Sequence, residues 1–131
     1  MENEKLVIVG KEPCPQVNFD FFANTFSFSG TSYPENCVEF FDPILTKLEN
    51  HLESLSASDV LFELRLSYFN SGSGRAFSKF FDILERCATT GNTVTINWCC
   101  EKDDENMIEL AHVFEDDFTS ANFQVVLYDA I

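Results

Sequence analysis

Hydrophobic positions along the chain keep two periods, and the period changes from segment to segment. Residues 5–9 form a short apolar run closed by Gly10, which predicts a strand. Pro13 and Pro15 mark a loop. Val17, Phe19 and Phe21 then alternate with polar residues, as do Phe26 and Phe28, with Ala23 and Asn24 between the two runs. That pattern predicts a β-hairpin pairing residues 16–22 with 25–30. Further on, Phe62, Leu64, Leu66 and Tyr68 alternate with Glu63, Arg65 and Ser67, which predicts a strand with one face in the core. Val94, Ile96, Trp98 and Cys100 give another strand, and Phe123, Val125 and Leu127 a last one.

Between these strands the period lengthens to that of a helix. Val38, Phe41, Leu45, Leu48, Leu52 and Leu55 recur at helical spacing, with a kink or restart expected at Pro43. Ser32, Tyr33, Pro34 and Glu35 have the S-x-x-E spacing of a capping box. Ser32 would be the N-cap, Glu35 would reach back to it, and Pro34 would sit in the first turn. Phe77, Phe80, Phe81, Leu84 and Ala88 form a second apolar stripe, opposite Arg75, Lys79, Asp82, Glu85 and Arg86. Gly91 and Asn92 close that helix. Asp103, Asp104 and Glu105 place acid where a third helix would start, and Met107, Leu110, Ala111, Phe114 and Phe118 would be its buried stripe. The order β-ββ-α-β-α-β-α-β predicts an α/β sandwich, a single domain over residues 1–131. Its central strands would run largely parallel, with an N-terminal antiparallel hairpin at one edge and about three helices.

Composition narrows the function classes. Fifteen phenylalanines predict a core built on Phe rather than Leu. A net charge of −14 argues against nucleic acid and against anionic membrane surfaces, and it would steer a basic partner surface toward the chain. No apolar run reaches the length of a membrane span. The five cysteines are odd in number and no signal-peptide pattern precedes them, which predicts reduced thiols in the cytoplasm. Cys99 and Cys100 are adjacent on a predicted strand and would point to opposite faces, a poor arrangement for sharing one metal. No metal and no cofactor are expected.

The residues offer little for catalysis. His51 and His112 both fall on predicted helices, away from any nucleophile spacing, and read as ordinary helix-face residues. Gly72, Ser73 and Gly74 are too close together for a nucleophile elbow, and no lysine follows them as in a phosphate-binding loop. Two acidic clusters, residues 103–105 and 115–117, lack the spacing of a calcium loop. One enzymatic reading uses Cys99, Glu101 and Asp103 near a strand end, where α/β sites sit, but no base or nucleophile is paired with them.

The strand-to-helix turn from Tyr68 to Ala76 is the strongest candidate. A helix N-terminus carries unpaired N–H groups and a partial positive charge, and both stabilise a phosphate. Arg75 and Lys79, one turn apart, add a local positive patch. Ser71 and Ser73 are therefore candidate hydroxyls for phosphorylation. On the plainer reading, Asn70 or Ser71 is only an N-cap and the glycines only make a tight turn.

Two blocks of the sequence resemble the SiaC family of bacterial regulatory phosphoproteins. One is Gly30-Thr31-Ser32-Tyr33-Pro34-Glu35-Asn36. The other is Leu64-x-Leu66-x-Tyr68-Phe69-Asn70-Ser71-x-Ser73. Both occur in the family's order, and chain length agrees. The resemblance implies a fold similar to the STAS-type anti-sigma-factor antagonists, and function through partner exchange without catalysis. It implies a protein kinase and a protein phosphatase acting on one hydroxyl of the turn, and a diguanylate cyclase bound by the dephosphorylated form. The modified position matches Ser71, with Ser73 as its rival. Asn70 and Arg75 would shape the turn. Tyr33, Pro34, Glu35 and Asn36 would add to the partner surface or cap their helix, capping being the simpler role for Glu35. Gly72 and Gly74 stand where family members often carry bulkier residues, which implies a looser loop. An anti-sigma-factor antagonist, with an anti-sigma kinase as partner, shares the same fold and phosphosite.

Overall fold

The computed structural model of the chain describes residues 5–129. The elements follow the order that the periodicity predicts. They are β1 (Lys5–Ile8), β2 (Gln16–Asp20), β3 (Thr25–Ser32), α1 (Cys37–Glu53), β4 (Asp59–Phe69), α2 (Ser71–Thr89), β5 (Thr93–Glu101), α3 (Glu105–Glu115) and β6 (Asn122–Tyr128). The strands form one six-stranded sheet in sequence order. β1, β2 and β3 pair antiparallel, while β3, β4, β5 and β6 pair parallel. Each parallel connection is a helical crossover that advances by one strand. Right-handed crossovers of that kind deliver their helices to the same face of the sheet.

Side-chain contacts agree. Phe28, Leu64 and Trp98 lie in register across the sheet. Phe28 meets Phe41 of α1 at 5.6 Å and Phe80 of α2 at 5.3 Å, and Trp98 meets Phe114 of α3 at 5.5 Å between ring centroids. The core is thus aromatic, as the composition predicts, and most of its ring pairs are edge-to-face. Burying one such side chain contributes about 1.5–3 kcal/mol, and a well-placed ring pair roughly 0.5–1.5 kcal/mol more. On the opposite face Val7, Asn18, Ser27, Glu63, Asn97 and Gln124 form a mainly polar row in register, and no helix of the described residues covers it.

Several local expectations are corrected. β2 stops at Asp20, because the Asp20 carboxylate accepts the Ala23 N–H at 3.0 Å and closes the turn. Asn24 takes the positive φ of 56° that the turn requires. Phe21 folds back onto Phe26, while Phe22 is left 73% exposed. The first helix begins at Cys37, not beside Ser32, and the capping box does not form. Ser32 continues β3 and is buried, so its hydroxyl is unavailable to a helix. Asn36 caps instead, its Oδ1 accepting the Glu39 N–H at 3.1 Å. α1 is a single helix through Pro43. Asn92 closes α2 as predicted, donating to the Cys87 carbonyl and accepting from Ser58 N–H. In α3 only Met107 and Ala111 are buried; Leu110 is exposed and Phe118 lies past the helix end. No helix among the described residues is long and apolar enough to cross a membrane.

Candidate functional site: the β4–α2 turn

An irregularity in strand pairing builds the site. Leu66 of β4 pairs with Gly30 of β3, but the next pairs are Tyr68 with Thr31 and Phe69 with Ser32. Ser67 is therefore an extra residue, a bulge. A one-residue insertion reverses which side chains face the core beyond it. Strict alternation would bury Tyr68, and the sequence reading placed it there. Instead Tyr68 is 55% exposed, and Phe69 turns inward against Phe77 at 5.4 Å and Trp98 at 6.0 Å. Gly30, opposite the bulge, has φ of 95°, a conformation that suits glycine.

The bulged strand runs directly into α2. No separate loop exists, since the glycines lie in the first turn of the helix. Asn70 is the N-cap, and its Oδ1 accepts the Ser73 N–H at 2.9 Å. Its backbone N–H donates to the Ser32 carbonyl at 2.9 Å, and its Nδ2 donates to the Pro34 carbonyl at 3.4 Å. Asn70 thereby ties the start of α2 to the chain between β3 and α1. Ser71, the first residue of α2, is exposed. Ser73 is fully buried. Its hydroxyl donates to the Ser32 carbonyl at 3.0 Å, so it accepts from the Ser32 hydroxyl across the 2.8 Å contact.

The two helix N-termini abut at this point. Cys37, the first residue of α1, has its Sγ 3.3 Å from the Pro34 carbonyl and 3.6 Å from Asn70 Oδ1. A Cβ on Gly72 would stand 2.7 Å from that sulfur, and one on Gly74 would stand 3.2 Å from the Phe69 ring. The glycines therefore permit close packing, contrary to the looser loop expected. Between the two helix starts lies a cleft of about 450 Å³, lined by Asn36, Asp42, Ser71, Arg75 and Lys79 among others. Arg75 and Lys79 are both exposed. On the other side of the turn, the Tyr33 ring packs edge-on against Tyr68 at 6.1 Å, and its hydroxyl donates to Glu12 at 2.7 Å. That hydrogen bond to the carboxylate is the main cause that raises the Tyr33 pKa above 10.0. Glu35 is exposed and lines the same cleft.

The two sequence blocks, some thirty residues apart, are thus neighbours in space. A model of the SiaC family, described as regulatory phosphoproteins, matches residues 8–128. The chain belongs to the SiaC family. It is similar to an uncharacterized protein of Pseudomonas aeruginosa strain UCBPP-PA14, with 32% identity over 112 residues, 86% of this chain and 88% of that one. The crystal structure of apo-SiaC from P. aeruginosa superposes with a TM-score of 0.84 at 32% identity, covering 94% of this chain and 98% of that one. A chain in the crystal structure of diguanylate cyclase SiaD with its activator SiaC, also from P. aeruginosa, superposes with a TM-score of 0.82 at 30% identity. It covers 92% of this chain and 98% of that one.

In this SiaC-family chain the fold brings Tyr33, Pro34, Glu35 and Asn36 close to Asn70, Ser71 and Arg75. Sequence reasoning missed Cys37 and the hydrogen-bonding role of Ser32, since both act through contacts with α2 more than thirty residues away. Of the alternative trio, Cys99 is buried, whereas Glu101 and Asp103 are exposed. Among the described residues, no group of three His, Cys, Asp or Glu side chains could hold a metal ion. The Cys99 thiol is held above its ordinary pKa by burial, then by Glu63. His112 pairs with Glu115 at 3.1 Å at the end of α3. His51 is more than a helix-face residue. It hydrogen-bonds Asn24 at 2.7 Å and sits edge-on to Phe21.

Proposed function

We propose that the chain is a phospho-switch without catalysis of its own, working in the cytoplasm. Its dephosphorylated form binds and regulates a diguanylate cyclase. A serine/threonine kinase adds phosphate to Ser71 and a phosphatase removes it. Ser73 is the wrong hydroxyl for this chemistry, because it is fully buried and bonded twice to Ser32. The exposure of Ser71 beside that buried serine is the observation that carries the assignment. Membership of a family of regulatory phosphoproteins supports the switch, and the solved complex of diguanylate cyclase SiaD with its activator SiaC supports the class of output partner.

A phosphate at Ser71 adds roughly −1.5 to −2 charges at neutral pH. The start of α2, with Arg75 and Lys79 nearby, stabilises it without unfolding the helix. The added charge changes the surface formed by Tyr33, Pro34, Glu35, Asn36, Asn70 and Arg75, and a partner docked there loses contact through repulsion and desolvation.

The test is binding, by titration calorimetry, to the diguanylate cyclases encoded by the source genome. Wild-type protein and Ser71→Ala should bind one of them alike. Ser71→Asp should bind at least tenfold more weakly, about 1.4 kcal/mol. Equal binding by all three would return Ser71 to a plain helix start.

A further inference from the structure

Two departures from regular patterning face one groove. The bulge at Ser67 turns Tyr68 out of the core, and the apolar stripe of α3 runs past its buried part into solvent. Tyr68 is 55% exposed, Leu110 38% and Val113 67%. Together with the buried Met107 they line a groove of about 540 Å³ between the end of β4 and α3. Exposed large apolar side chains scattered singly need no explanation, but a cluster lining one concavity marks an interaction surface. Tyrosine is also among the residues that most often carry binding energy at interfaces.

The charged residues of the groove are acidic, beside the neutral Ser67 and Asn106, and one of them, Asp104, also caps α3 by accepting the Met107 N–H at 3.2 Å. Asp104 and Glu109 are among its lining residues and no lysine or arginine is. Asp103 and Glu105 flank it on the surface. It is also continuous with the phosphorylation turn. Tyr68 and Phe69 line the groove and lead through Asn70 into Ser71, and Phe69 packs against Gly74 in the first turn of α2.

We infer that this groove is the docking site for a segment of the output partner that carries apolar anchors flanked by lysine or arginine. The apolar anchors fill the space between Tyr68, Leu110 and Val113, and the basic residues meet Asp104 and Glu109. This rests on the reading of the chain as a regulator of a diguanylate cyclase. It adds where that partner sits and the chemistry of the segment that binds. Phosphate at Ser71 then acts beside the docked segment, not beneath it.

The experiment uses the cyclase that binds Ser71→Ala and measures affinity over a range of salt. The double variant Leu110→Ser/Val113→Ser removes two apolar side chains that lie outside the buried core and should bind at least tenfold more weakly, while remaining folded by circular dichroism. Glu109→Lys should also weaken binding and flatten its salt dependence. Phe22→Ser, exposed at the hairpin turn, should bind as the parent does. Kinase labelling of Ser71 should be the same in all variants. Parent-like binding by the double variant, or tighter binding by Glu109→Lys, would overturn the groove as the docking site while leaving the switch intact. Sedimentation that shows a dimer converted to monomer by the double variant would assign the groove to a second copy instead. Absence of cyclase binding by wild type and Ser71→Ala alike would remove the output partner, and the groove assignment with it.

Discussion

Gly72 shows how much a single hydrogen atom can decide at this site. In an open helix, replacing glycine by alanine is worth up to about 1 kcal/mol in favour of the helix. Here the added methyl would meet Cys37 Sγ at 2.7 Å, so Gly72→Ala is overpacked and should cost about 1–3 kcal/mol. Removing the sulfur in the same chain, as Cys37→Ala, should restore most of that loss. Urea unfolding of the four-member cycle measures the coupling, and additive losses would mean that the two residues do not meet. Ser71 and Ser73 make a related point. Two residues apart on a helix, they are turned roughly 200° around its axis and so lie on nearly opposite sides. In the sequence they are near-equivalent serines separated by one glycine. In the fold one faces solvent and the other completes a buried bond to Ser32.

Elements are held by a few side chains whose partners lie far along the chain. Glu85, on the polar side of α2, receives N–H groups from Thr119, Ser120 and Ala121 and the Thr119 hydroxyl. It thus anchors the connection between α3 and β6 to the middle helix. Burial pushes the Glu85 pKa up, but the hydrogen bonds from Ala121, Ser120 and Thr119 outweigh it and hold the carboxyl below its ordinary value. Glu85→Ala should destabilise the protein by about 1–3 kcal/mol, because several backbone donors lose their acceptor together. Amide exchange at residues 119–121 should quicken more than the average for the chain, and uniform quickening would argue against a local anchor. The periodicity read Glu85 only as one of the charged residues opposite the apolar stripe, since its partners are more than thirty residues distant. The same limit explains Tyr68. Alternation cannot register a bulge whose existence depends on how β4 meets β3.

At the scale of the whole molecule, the hairpin turn and the end of α1 are joined by the His51 to Asn24 hydrogen bond, with the His51 ring against Phe21 and Phe26. Burial lowers the His51 pKa below its ordinary 6.5. The folded protein therefore takes up that proton less readily than the unfolded chain does. Well above pH 6.5 both states hold neutral imidazole and the group adds no pH dependence. As pH falls below that value the unfolded chain is protonated first, and folding stability declines until His51 itself is protonated. Glutamine can still donate to Asn24 but does not titrate. Wild type should thus lose more stability than His51→Gln between about pH 7.5 and about pH 5.5, measured by urea unfolding. Equal losses would show that His51 is free to take the proton in the fold.

Hydrophobic period determined the order of strands and helices and, through the handedness of crossovers, the parallel sheet with an antiparallel edge, while composition determined the phenylalanine core. It also located the turn at Asn70 to Arg75, where an alternating pattern meets a helical stripe around two glycines. Only the tertiary structure decided which serine reaches solvent, which residue caps α1 and which way Tyr68 points. Each of those depends on β3, β4 and the two helix starts meeting in space. Ser32 could not serve as a helix cap once pairing with β4 had extended β3 through it and Ser73 had taken its hydroxyl.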